Sequence, residues 1–151
     1  MVSKDTKTPL VSVIIATYNR AHLISPSIES ALKQTLNNYE IIVVDDGSTD
    51  NTGEVLSRNY GTRIRYIRKP HNEGLASARN TGIDASRGAY IALLDDDDLW
   101  LPEKLALQMD LAQKNPSLGL VYCGACKVSE EGELLEEIKP VKRGAIFEDL
   151  L

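Results

Sequence analysis

The chain has 151 residues, 42% hydrophobic and 26% charged, the balance of one globular domain that buries roughly two thirds of its unfolded surface, which argues against a disordered tail. A net charge of -5 excludes a broad nucleic-acid surface. Apolar runs stay well short of the roughly 20 residues of a membrane span, and the start Met1-Val2-Ser3-Lys4-Asp5 lacks a secretory apolar region, so no membrane span and a cytoplasmic location are expected.

Leu10 to Thr17 is a near-continuous run rich in Val and Ile, the pattern of a strand covered on both faces of a parallel sheet. The following helix carries Ile24, Ile28, Ala31 and Leu32 on one stripe. Tyr39 to Val44 is the second buried strand and runs into Asp45-Asp46-Gly47-Ser48-Thr49-Asp50-Asn51-Thr52-Gly53. There Gly permits positive φ, and Ser, Thr, Asp and Asn cap the start of a helix. That helix ends near Arg58, and a strand from Arg63 to Ile67 follows. Asn72 is the expected N-cap of a helix from Glu73 to about Ser86, with Gly88 as its stop and Leu75, Ala78, Gly82 and Ala85 on its inner face. Ala89 to Leu94 is the next strand. Pro102 fits the first turn of a helix with Leu105, Met109 and Ala112 on its stripe, which ends before Pro116. Leu118 to Val128 and Leu134 to Ile138 read as a hairpin around Glu130-Glu131-Gly132-Glu133.

Cys123 and Cys126 form the single C-x-x-C, and three positions along a strand point them to opposite faces. With no second pair, and with His22 and His71 distant and without partner signals, they read as packing thiols, not as a zinc or redox pair. Arg63, Arg65, Arg68 and Lys69 read as a solvated basic edge. Trp100 reads as an anchor for its loop.

Strand and helix alternate, so the sheet is parallel and the carboxyl ends of its strands share one edge, where α/β proteins place ligands. Three polar clusters meet there: Thr17-Tyr18-Asn19-Arg20, Asp45-Asp46-Gly47-Ser48 and Asp95-Asp96-Asp97-Asp98. Two unit charges about 4 Å apart repel by roughly 1 kcal/mol even in water. The four-acid run therefore needs exposure, protonation or a cation. An aromatic ring suits a base, and carboxylates suit base N–H groups or ribose hydroxyls. A divalent ion shared between carboxylates and a diphosphate suits magnesium or manganese. A nicotinamide enzyme would want G-x-G-x-x-G after a strand, and none is present.

Val11-Ser12-Val13-Ile14-Ile15-Ala16-Thr17-Tyr18-Asn19-Arg20, Val43-Val44-Asp45-Asp46-Gly47-Ser48-Thr49-Asp50, Asn72-Glu73-Gly74-Leu75-Ala76-Ser77-Ala78-Arg79-Asn80 and Leu94-Asp95-Asp96-Asp97-Asp98 occur in this order. Together they resemble the successive signatures of family 2 glycosyltransferases. The resemblance spans Leu10 to Leu105. It implies an α/β, Rossmann-like GT-A fold with a mostly parallel sheet and helices on both faces. It also implies a single domain over residues 1–151 with a complete donor half and an incomplete or missing acceptor half.

The activity so implied is metal-assisted transfer, with inversion, of a sugar from a nucleotide-diphosphate donor, a UDP-sugar above all. The acceptor would be a carbohydrate, lipid or protein hydroxyl, as in cell-wall or polysaccharide biosynthesis. By resemblance the nucleotide sugar is bound by Ala16, Thr17, Tyr18, Asn19, Asp45, Asp46, Gly47, Arg79, Asp95 and Asp96. Tyr18 would flank the base, Asp46 would accept a hydrogen bond from it, Asp96 would lie against the ribose, and Arg79 would contact nucleotide or phosphate. Asp97 would be the metal-binding last acid of a D-x-D element that Asp95 opens, holding Mg2+ or Mn2+. Ala16 departs from the Pro that many relatives carry.

Inversion requires a carboxylate base to activate the acceptor hydroxyl, and that base is expected beyond Leu151. Glu130, Glu131, Glu133, Glu136 and Glu137 read as a solvated hairpin rim. A partner, a second copy of the chain included, is expected to cover the apolar segment from Gly144 to Leu151. The alternative reading is a non-catalytic nucleotide-sugar binding or assembly module that lacks the base.

Overall fold

Val11–Thr17 (β1) is buried at all seven positions, the outcome its unbroken apolar sequence dictates for an inner strand. The computed structural model describes residues 8–129, 131–140 and 144, and the chain divides into two compact units, Met1–Ala106 and Leu107–Leu151. In the first unit β1 pairs in parallel with β2 (Tyr39–Asp45) on one side and β4 (Tyr90–Asp95) on the other, and β3 (Arg65–Arg68) extends β2. The order is β3-β2-β1-β4.

Helices α1 (Ile24–Leu32) and α2 (Thr52–Tyr60) carry the chain outward from β1 to β3. Helix α3 (Leu75–Ala85) carries it back across β2 and β1 to β4. Right-handed crossovers running in opposite directions must cover opposite faces of the sheet. Accordingly α3 lies against the face that carries Ile14, Ala16, Ile42 and Val44, and its Ala78 belongs to the core of the last three. A Cβ at Gly82 would collide with Ile14 Cγ2 and come within 3.3 Å of Val44 Cγ2. Val13, Ile15, Ile41 and Val43 alternate to the other face and are also buried.

Several boundaries depart from those the sequence predicts. Asn72 is exposed and caps nothing; Gly74, at φ 91°, precedes the first turn of α3. Leu75 is 53% exposed, not part of the inner face. Gly88 ends no helix: Ser86 is already extended. Gly88 instead lies so close to β1 that a Cβ there would be 2.5 Å from Ser12 N. Residues Gly61–Arg63 form a 3-10 turn, so β3 starts later than Arg63. On β4, Ile91 and Leu93 are exposed although the strand is apolar in sequence; they share the face of Ile14, where α3 packs over β1 and β2, whereas Leu94 on the opposite face is buried.

Helix α4 (Lys104–Lys114) begins just after Pro102 and carries buried Leu105, Met109 and Ala112. Its first turn is held by buried Gln34, whose Oε1 accepts from Leu105 N (2.9 Å) and whose Nε2 donates to Leu101 O (2.8 Å). Trp100 donates its backbone amide to Ser30 Oγ (3.1 Å), and Lys104 Nζ lies 4.2 Å above its ring.

In the second unit β5 (Ala125–Val128) and β6 (Leu134–Ile138) form an antiparallel hairpin. Cys123 precedes β5, and both it and Cys126 are exposed and free, so they are not packing thiols. Every residue of both strands is exposed, so neither face offers the thiols a core. Glu130, Met1 to Asp5 and Ala145 to Leu151 lie outside the described residues. Among the described residues no helix is long and apolar enough to cross a membrane.

The close approach of α3 to β1 yields a stability prediction. Gly82→Ala is expected to lower unfolding free energy by about 1–3 kcal/mol, the usual cost of overpacking a core. Urea denaturation measures it, and an unchanged midpoint would contradict the packing described.

Candidate functional site

The parallel register ends β2, β1 and β4 together, with Thr17 beside Asp45 and Ala16 beside Asp95. At this edge lies a cleft of about 450 Å³, within the usual range for a small-molecule site. One wall is Ala16, Thr17 and Tyr18; another is Asp95, Asp96 and Asp97; Asp46 and the start of α3 close the third side. The edge strand and the reversal of winding at β1 make this the switch point where open α/β sheets bind ligands. Tyr18 lines the cleft and is 42% exposed.

The remaining sequence-predicted residues sit behind the cleft. Asn19, in the left-handed region at φ 54°, accepts from Thr49 N (2.7 Å) and Asp50 N (3.2 Å), and its own amide donates to Ser48 Oγ (2.9 Å). It ties the loop after β1 to the loop after β2. Asp45 is fully buried; it accepts from Ser48 N and from the Tyr66 hydroxyl, both at 2.7 Å. Burial and that bond to Asp45 push the Tyr66 phenol well above its ordinary pKa. Gly47, at φ 78°, passes so near the backbone of His71 that a Cβ would be 2.6 Å from its carbonyl carbon.

Asp46 replaces the expected Asn72 cap. Its carboxylate accepts from Gly74 N (2.7 Å) and Glu73 N (3.0 Å), and from Lys69 Nζ (2.8 Å). Burial raises its pKa, but Lys69 and the two amides outweigh this and hold it below the ordinary carboxylate range. Lys69 is therefore no part of a solvated edge, since its side chain is only 8% exposed. Strand alternation could have located it: Lys69 falls in step with Ile67, which packs against the core beneath α3.

Two arginines relieve the four-acid run. Arg20 Nη1 donates to Asp97 Oδ2 (2.6 Å) and Asp96 Oδ1 (3.2 Å), and Arg79 Nη2 donates to Asp95 Oδ1. Arg79 reaches the site through that acid and does not line the cleft, whereas Arg20, not singled out in the sequence as a ligand, does. Burial lifts the pKa of Asp96 above the ordinary range, more than Thr17 and Arg20 lower it. Asp98 is also raised, by burial and by Asp95 and Asp97. The Asp95 and Asp97 side chains are about half exposed, and their oxygens are the donors a hard cation prefers. Among the described residues no group of three or more such side chains forms a cage, so a cation here would draw further ligands from a bound molecule or water.

The sequence profile of glycosyl transferase family 2 matches residues 12–141. The chain belongs to glycosyl transferase family 2. An uncharacterized glycosyltransferase of Rickettsia typhi is 41% identical over 94% of this chain and 44% of its own length. The UDP-Glc:alpha-D-GlcNAc-diphosphoundecaprenol beta-1,3-glucosyltransferase of Escherichia coli is 43% identical over 70% of this chain and 42% of its own. Among solved structures, a mannosyltransferase from Pyrobaculum calidifontis in complex with GDP-Man and Mn2+ is similar, with a TM-score of 0.70 and 30% identity over 78% of this chain and 36% of that one. This family 2 chain thus spans less than half the length of these relatives. Its parallel sheet flanked by helices is the GT-A-like architecture of such transferases.

Asp96→Asn is expected to raise the melting temperature of the ligand-free protein at pH 7. The folded-state pKa of Asp96 lies above its unfolded value, so the ionised side chain costs stability at neutral pH. That cost shrinks as pH falls through the raised value and vanishes only well below the ordinary carboxylate value of about 4, at about pH 2–3, where both states are protonated. Melts at both pH values check this, and a variant no more stable than wild type at pH 7 would contradict it.

Proposed function

We propose that this family 2 glycosyltransferase binds a nucleoside-diphosphate sugar in the cleft at the β1–β4 switch point and transfers the sugar, with inversion, to an acceptor hydroxyl. The observation that carries this reading is the meeting of Tyr18, Asp46, Asp96 and the Asp95/Asp97 pair around one cleft. Support also comes from a similar mannosyltransferase that holds GDP-Man and Mn2+. Tyr18 would stack on the base, Asp46 accept from a base N–H, and Asp96 accept from ribose hydroxyls. Arg20 and Arg79, already placed beside the acids, would turn toward phosphate oxygens.

Asp95 and Asp97 fit a divalent ion, Mg2+ or Mn2+, because they present two half-exposed carboxylates two residues apart. Bound there, such an ion supplies Lewis-acid stabilisation of the charge that develops on a departing diphosphate. The arginines add fixed positive charge at the same place. We propose uridine as the base and a glycan or lipid-linked acceptor, in line with the Escherichia coli relative named for UDP-Glc and a diphosphoundecaprenol.

Calorimetric titration with UDP and UDP-Glc, with and without Mn2+, tests the reading on wild type and Asp97→Ala. Binding is expected to need Mn2+ and to weaken about tenfold or more in the variant, a loss of about 1.4 kcal/mol. No binding, or binding indifferent to both Mn2+ and Asp97, would sink the donor-site reading. Release of free UDP from UDP-Glc then separates transfer or hydrolysis from binding alone.

A further inference from the structure

Lys69 follows β3 and turns inward, whereas Arg63 and Arg68 of the same basic run are exposed. Its Nζ lies 2.8 Å from Asp46 Oδ1, 2.8 Å from Glu73 Oε2 and 2.8 Å from Ser77 Oγ. An ammonium has three donors and no acceptor, so each of its hydrogens has a partner and none is left for a ligand. What Lys69 acts on is Asp46. An ionised carboxylate offers about four lone-pair sites. On Asp46, Lys69 Nζ takes one site on Oδ1, Gly74 N takes one on Oδ2, and Glu73 N is shared between the two oxygens at 3.1 and 3.0 Å. Three donors thus leave room for one more, and Asp46 borders the cleft.

We propose that Lys69 is a specificity-positioning residue that holds Asp46 as an acceptor-only carboxylate with one open site, so that the cleft selects nucleobases presenting a ring N–H over those presenting a bare ring nitrogen. The inference rests on the donor-site reading above. Uracil N3–H and guanine N1–H can donate to the open site. Cytosine N3 and adenine N1 set a lone pair against it and leave a buried charged acceptor unsatisfied, the kind of mismatch that discriminates strongly. Without the ammonium, burial favours a protonated Asp46. A carboxylic acid can donate to a bare ring nitrogen, so the selection relaxes.

The test measures UDP, CDP, GDP and ADP affinities in the presence of Mn2+ for wild type, Lys69→Met, Lys69→Gln and Ser77→Ala. Comparing within the pyrimidine pair and within the purine pair removes differences in base size. Wild type is expected to prefer UDP over CDP and GDP over ADP by about tenfold or more, the scale of one lost charged hydrogen bond. Both Lys69 variants should shrink these ratios several-fold, while Ser77→Ala, which leaves the Lys69–Asp46 pair in place, keeps them. A merely structural lysine would weaken all four ligands alike, and unchanged ratios in Lys69→Gln would overturn the proposal while leaving the donor site intact. Absence of the preference in wild type would overturn it with no variant needed. If wild type binds none of the four, both this proposal and the donor-site reading fail.

Discussion

Unbroken parallel register between β1 and its two neighbours fixes everything that follows in the first unit. Val11 to Thr17 pairs residue by residue with Tyr39 to Asp45, and Val11 to Ala16 with Tyr90 to Asp95. A slip of one position would send the side chains of one strand to the opposite face of the sheet. Helix α3 packs close to the sheet, with Ala78 in the buried cluster and Gly82 where a Cβ would clash with Ile14. Register is therefore set by packing, and the polar ends of the strands emerge together because the apolar runs that precede them are aligned. The return crossover through α3 then adds a third wall to the same edge.

Two carboxylates on this edge are buried to a similar degree, Asp46 at 3% and Asp96 at 7% exposed, yet their proton affinities move in opposite directions. The difference lies in their partners. Asp46 receives an ammonium and two backbone amides, enough to offset desolvation. Asp96 shares one guanidinium with Asp97, whose own charge works against it. A buried charge without full compensation costs stability, and such sites concentrate where function demands them. Asp46 is thus an organised part of the frame before any ligand arrives, while Asp96 keeps unspent capacity to accept hydrogen bonds.

Strands β1 and β2 and helix α1 were legible because long Val and Ile runs and a helical apolar stripe admit few other readings, whereas the strand expected from Leu118 starts only at Ala125. The start of α3 was not. Capping rules look for a side chain a few residues away, and here the carboxylate comes from the end of β2, 27 residues earlier in sequence. The four-acid run was legible as a charge problem, and a cation was one of its expected remedies. Its partners in the fold are Arg20 and Arg79, supplied by the loop after β1 and by α3. Lys69 was misread because three neighbouring basic residues made the segment look like a solvated edge. The exposure of Cys123 and Cys126 could not be foreseen, since an apolar strand pattern does not reveal whether anything covers it.

The run Asp45-Asp46-Gly47-Ser48 reads as a ligand-binding motif, yet most of its chemistry is directed at other parts of the chain. Asp45 turns back to Ser48 N and across to Tyr66. Asp46 fastens the start of α3 and the end of β3. Gly47 gives the backbone of His71 and Asn72 room to pass, and Ser48 accepts the amide of Asn19 behind β1. Four adjacent residues therefore join four separate segments, and only Asp46 also borders the cleft. A motif this dense is constrained by assembly before it is constrained by recognition. Replacing any of the four would displace the walls that Tyr18 and the start of α3 present, even where the residue itself touches no ligand.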